Sequence, residues 1–259
     1  MLKSIMTSCM KKKSITIFLS GIFAAALIFL FVRQQGNQIS TETAGPVLPA
    51  PIPETLAVGD VIKFGSYEQD NDLSNGTEAV EWQVLNIEND RALLISRYAL
   101  DAKPYNEEWT RVTWENSSLR KWLNGEFLHL VFDPAERARV LPVLNPNPAN
   151  PTTGMPGGND TEDHIFLLSI DEAAAYFQDD ETRQCIGTEY ALENGRPYVN
   201  EINGESWWWL RTRGSSSKTA SLVCFSGYVN TVGFGVNNFG GYLRPVFWLD
   251  LKAANGITG

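Results

Sequence analysis

The chain has 259 residues, with 21 lysines and arginines against 30 aspartates and glutamates, for a formal net charge of −9. Residues 1–33 hold five bases and no acid, which leaves 16 bases against 30 acids, about −14, for the remainder. So acidic a surface argues against nucleic acid as a partner, and three cysteines without a CxxC or a Cys/His cluster argue against a structural zinc site.

Residues 1–33 read as a cytoplasmic tip and a transmembrane signal-anchor. "SITIFLSGIFAAALIFLFV", residues 14–32, carries no charge, and as a helix it reaches roughly 28 Å, enough to cross a hydrocarbon core. The lysines at 11–13 precede it, so the positive-inside rule places the following chain outside the cell. A cleaved signal peptide, giving a secreted product, is the alternative, although no small-x-small site follows Val32. Residues 34–56 carry Pro46, Pro49, Pro51 and Pro53 without apolar periodicity, the composition of a semi-rigid linker.

One folded domain is expected over 57–251, followed by a short tail, 252–259. "DVIKFGSY" and "AVEWQVLNIE" alternate as strands do, and the Asn89-Asp90 turn joins the second to "RALLIS" as a hairpin. In "WENSSLRKWLNGEFLHLVF" Asn116 or Ser117 caps a helix with Leu119, Trp122, Leu123, Phe127 and Leu130 on one side, and Asn124-Gly125 is a candidate break. "DPAERARVL" starts a second helix, with Asp133 as cap and Glu136 reaching back to it. Residues 142–160, with five prolines, form a long loop of the functional or mobile kind. "HIFLLSIDEAAAYF" is a strand leading into a helix capped by Ser169 and Glu172. "WWWLR", "ASLVCF", "VNTVGFGV" and "LRPVFWLDL" predict a C-terminal antiparallel meander, in which Pro245 calls for an edge position or a bulge.

Several of these blocks together, "VEWQVLNIENDRALLISRYALDAKPYN", "WENSSLRKWLNGEF", "IFLLSIDEAAAYF", "WWWLRTRG" and "LRPVFWL", resemble a large uncharacterised bacterial domain family related to C-type-lectin-like folds. Its relatives include formylglycine-generating-enzyme-like domains and binding proteins diversified by retroelements. The resemblance implies an α+β fold of C-type-lectin-like type: an N-terminal hairpin, short helices and the meander, as a single domain. It also implies that the tryptophan-rich strand belongs to the core. The chemistry agrees, since three indoles bury on the order of 450–750 Å². Arg211 and Arg244 are expected to pair with buried carboxylates or carbonyls.

No catalytic constellation is legible. His129 and His164 each stand alone, and neither a nucleophile elbow nor a zinc-protease or phosphate-loop motif is present. Cys185 and Cys224 are spaced compatibly with a disulfide or with two buried thiols. They are also the one available counterpart of the copper-binding thiol pair of the enzymatic relatives, whose surroundings they do not reproduce. "GGNDTED", 157–163, offers oxygens without an EF-hand pattern. No metal and no cofactor are expected. The binding residues indicated by composition are Tyr228, Asn230, Phe234, Asn237, Asn238, Phe239 and Tyr242, aromatics and amides on glycine-punctuated turns. In the retroelement-diversified relatives the corresponding region is the variable surface. The sequence therefore points to a membrane-anchored extracellular domain that binds a protein or glycan without catalysis, against an oxidase of the formylglycine-generating type or a structural envelope protein.

Overall fold

A computed structural model describes residues 52–53, 55–195 and 206–252. The signal-anchor at 14–32, nearly all of the linker and the tail from 253 lie outside the described residues. No helix among the described residues is long and apolar enough to cross a membrane.

The architecture is α+β, mostly strand. One five-stranded antiparallel sheet runs β1 (Val61–Tyr67), β2 (Glu78–Glu88), β3 (Arg91–Ser96), β12 (Val246–Asp250), β5 (Val140–Leu141). A second, mixed sheet runs β10 (Val229–Gly235), β9 (Thr219–Val223), β8 (Trp208–Arg213), β11 (Tyr242–Leu243), β4 (Asp101–Ala102). β6 (Val143–Asn145) and β7 (Thr161–Asp163) form a separate ribbon. Among the described residues six short helices accompany the sheets: α1 (Ser118–Trp122), α2 (Leu128–Val131), α3 (Pro134–Arg137), α4 (Ile170–Tyr176), α5 (Asp180–Arg183) and α6 (Glu189–Asn194).

Where local chemistry decides, the elements form as read. Asn89 and Asp90 both take positive φ, 48° and 61°, the mirror-image turn that matches the twist of the β2–β3 hairpin. Asp133 and Ser169 each close a reciprocal capping box with the glutamate three residues on. Ser117, not Asn116, caps α1, its hydroxyl accepting from the Arg120 amide at 3.1 Å.

Four expectations are corrected. The strand expected in "HIFLL" does not form; Phe166 alone makes a bridge, to Val246. Asn124-Gly125 does not break the helix; residues 123–127 form a π turn between α1 and α2. The widened turn advances the register by one residue, so Leu128 and Val131 enter the core and Leu130 is left 54% exposed. The long proline-rich segment is not a free loop: its ends pair as β6 and β7, and Asn150, buried in its middle, donates to the carbonyls of Arg213 (2.7 Å) and Thr231 (2.9 Å). The meander stops after β10. β11 crosses back to lie parallel to β8, and β12 leaves for the other sheet, between β3 and β5. Pro245 stands between these two strands, so β12 is central and loses no ladder donor to it.

The tryptophan triplet is interior on both faces. Trp207, Trp208 and Trp209 are all buried. Trp207 meets Trp209 edge to face at 4.8 Å, while Trp208 faces Phe177 at 6.4 Å. The indole N–H of Trp209 donates to the Lys103 carbonyl at 3.0 Å and that of Trp208 to the Arg183 carbonyl at 3.2 Å, so neither burial leaves an orphan donor. Arg211 forms a bidentate pair with Glu172 and donates to the Leu167 carbonyl at 2.8 Å. Arg244 donates to the Ser96 carbonyl at 3.1 Å and stacks over Trp208.

Candidate binding surface

The turn residues named from composition separate by burial. Asn230 is buried, and its side-chain oxygen accepts from the Val232 and Gly233 amides at 3.1 and 3.0 Å, shaping the irregularity of β10. Tyr242 is fully buried in β11, its hydroxyl pushed up to about 12 by burial. Neither presents its side chain to a ligand, and both leave the candidate set. Phe234 is half-buried against Trp207, centroids 5.0 Å apart, and Tyr228 is also half-buried. Asn237 and Asn238 are partly exposed, the Asn238 side chain accepting from the Gly240 amide at 3.0 Å. Phe239 is 66% exposed.

Phe239 has a companion that composition did not single out. Trp109, 51% exposed, is the other exposed aromatic among the described residues. It sits in the segment between β4 and α1, which is held to the second sheet by the Asn106 amide donating to the Val236 carbonyl (2.8 Å) and the Val112 amide to the Ser217 carbonyl (3.0 Å). Its ring lies against Gly235 at the end of β10, with the Lys218 ammonium 5.6 Å from its centroid. The turn that carries Phe239 begins at the same glycine, closed by the Asn238 amide on the Gly235 carbonyl at 3.1 Å. Trp109 thus lies on Gly235, and Phe239 stands on the turn that begins there. The available signal was a tryptophan inside a polar run, "NEEWTR", where packing supplies no reason for an indole.

A polar cleft of about 310 Å³ is lined by Asn106, Glu107, Thr110, Arg111 and Asn116, the chain on either side of Trp109 without its ring. A larger one, about 440 Å³, lies between Arg91, Asn145, Glu172, Tyr176 and Trp248. In the larger cleft the charged groups are already engaged: Glu172 by Arg211, and Arg91 by Glu88 and by the Trp248 ring, 4.2 Å from its centroid. Its Trp248 and Phe166 rings are buried. It is built of the fold's own contacts, whereas the smaller cleft lies in the segment that carries Trp109.

Cys185 is a free thiol, so no disulfide joins it to Cys224. Both residues are buried. Burial pushes the Cys185 thiol up, with the Arg244 charge opposing, the reverse of what an activated nucleophile needs.

These features define an α+β domain with a buried tryptophan strand and two exposed aromatics, one against the end of β10 and one on the turn that follows it. The chain belongs to the family described as a domain of unknown function (DUF6273), whose model matches residues 89–251. No curated protein and no solved structure matches the chain. The family match takes in Trp109 and Phe239 and begins at the β2–β3 turn, leaving β1 and β2 outside.

Proposed function

We propose that this chain is a membrane-anchored extracellular recognition domain of C-type-lectin-like fold that binds a protein or glycan without catalysis. The observation that carries the reading is the two exposed aromatics, Trp109 seated on Gly235 and Phe239 on the turn that begins at that glycine. Exposed aromatic side chains held by a well-packed scaffold supply contact area at low entropic cost. A glycan is the ligand class favoured by the smaller cleft, where carboxylate and cationic groups of Glu107, Glu108, Arg111 and Lys121 suit sugar hydroxyls. The burial of Cys185 and Cys224 weighs against the oxidase reading, which needs an accessible thiol pair.

A glycan and surface-protein array probed with the full-length chain tests the reading: discrete saccharide hits support it, and an array without hits of either kind removes it. Protease shaving of intact cells, with cleavage in residues 34–56, tests the outward topology. Protection of that stretch on protease-accessible cells contradicts it.

A further inference from the structure

The connection between β1 and β2, "EQDNDLSNGTE", brings three carboxylates together. One oxygen from each of Glu68, Asp70 and Glu78 lies within 4.8 Å of the others. None of the three takes part in an ion pair with a Lys, Arg or His among the described residues. The Glu78 carboxylate is fixed by the Gln69 amide at 2.7 Å, and that of Asp70 by the Asn75 side chain at 2.8 Å and the Asp72 amide at 2.9 Å. Glu68 is the unusual member. It is only 7% exposed, and its Oε1 is buried with no hydrogen-bond partner.

A buried carboxylate oxygen without a donor is costly, and two further carboxylates beside it raise the cost. Folding nonetheless gathers the three groups instead of letting the exposed ones turn outward. A cation between them offsets these costs, neutralising the mutual repulsion and giving the Glu68 carboxylate a partner.

We infer that Glu68, Asp70 and Glu78 form a calcium site on the β1–β2 connection. All three ligands are hard oxygens, which select Ca²⁺ or Mg²⁺ over softer metals. Mg²⁺ demands near-ideal octahedral geometry and keeps most of its waters, whereas Ca²⁺ accepts irregular carboxylate sets such as this one. The connection is joined to α6 through the Tyr190 amide on the Gln69 carbonyl at 3.1 Å and the Tyr67–Tyr190 ring contact at 5.8 Å. Bound calcium therefore braces the first hairpin against the helix. This inference stands apart from the recognition reading and does not depend on it.

The test is calorimetric titration of the full-length chain, stripped with chelator and kept in roughly 0.15 M KCl to screen diffuse attraction to its net negative charge. Calcium chloride and magnesium chloride are the probes. The expected result is one Ca²⁺ per chain with Kd on the order of 10⁻⁴ M, weaker Mg²⁺ binding, and a calcium-dependent rise in Tm. Asp70→Asn and Glu78→Gln, at sites that are not buried, are each expected to weaken calcium about tenfold or more. Glu68→Gln is expected to lose the response while the metal-free variant melts no lower than wild type. No saturable binding at about 10 mM calcium, stronger binding of magnesium, or undiminished affinity in Asp70→Asn and Glu78→Gln overturns the assignment. The last two variants keep the test decisive if Glu68→Gln fails to fold.

Discussion

The ring of Trp109 lies against the bare Cα of Gly235, so closely that a Cβ placed on the glycine would come within 2.5 Å of Cζ3. Gly235 has no positive φ to defend; its missing side chain is what seats the indole. Gly235→Ala therefore displaces an exposed ring and leaves the core untouched. The expected outcome is an affinity loss of about tenfold for the recognised ligand, with Tm within about 2 °C of wild type. A large drop in Tm would show that the glycine serves the fold instead.

Tyr242 tests the division between framework and surface from the other side. Its hydroxyl is buried and has no hydrogen-bond partner. Removing an unpaired buried polar group is neutral or stabilising, whereas removing the ring leaves a cavity. Tyr242→Phe is expected to match or exceed wild type in chemical denaturation, by up to about 1 kcal/mol. Tyr242→Ala is expected to cost about 3–5 kcal/mol. Ligand binding should be unchanged in the Phe variant.

Acidification provides a third test. Burial holds the Asp101 carboxyl above its ordinary range, against the Lys103 charge and the Tyr67 hydroxyl, which donates to it at 2.8 Å. An acid whose folded pKa is raised contributes most below its unfolded pKa of about 3.9, and the contribution is lost as pH rises through the folded value. Asp101→Asn has no such titration. Melting curves of the two proteins, recorded side by side from pH 8 down to pH 4, should show the difference in Tm moving in wild type's favour as pH falls. Movement the other way would mean that Asp101 is stabilised as the anion.

How much of this was legible beforehand follows from the range of each interaction. The capping boxes at Asp133 and Ser169 and the Asn89-Asp90 turn are decided within four residues, and they form as read. The tryptophan triplet was readable because its bulk admits few exposed solutions. The departure of β12 to the first sheet was not, since the alternation of "VFWLD" says that it is a buried strand and nothing about which strands border it. The same limit separates Phe239 from Tyr242: both are aromatics near glycines, and only the β11 crossover puts one of them inside. Asp163 is a further case. In sequence it is one acid in a polar stretch, yet folding buries it under the Trp114 indole (3.0 Å), the Asn145 amide (3.0 Å) and the Thr161 hydroxyl (2.7 Å), paired with Arg120.

The recognition account is tested most directly by the affinity of the double variant Trp109→Ala/Phe239→Ala for the ligand that the array identifies, measured by calorimetry beside wild type. The account predicts a loss of about 100-fold or more, with the melting temperature and near-ultraviolet circular dichroism of the domain preserved. Wild-type affinity in a folded double variant would contradict it.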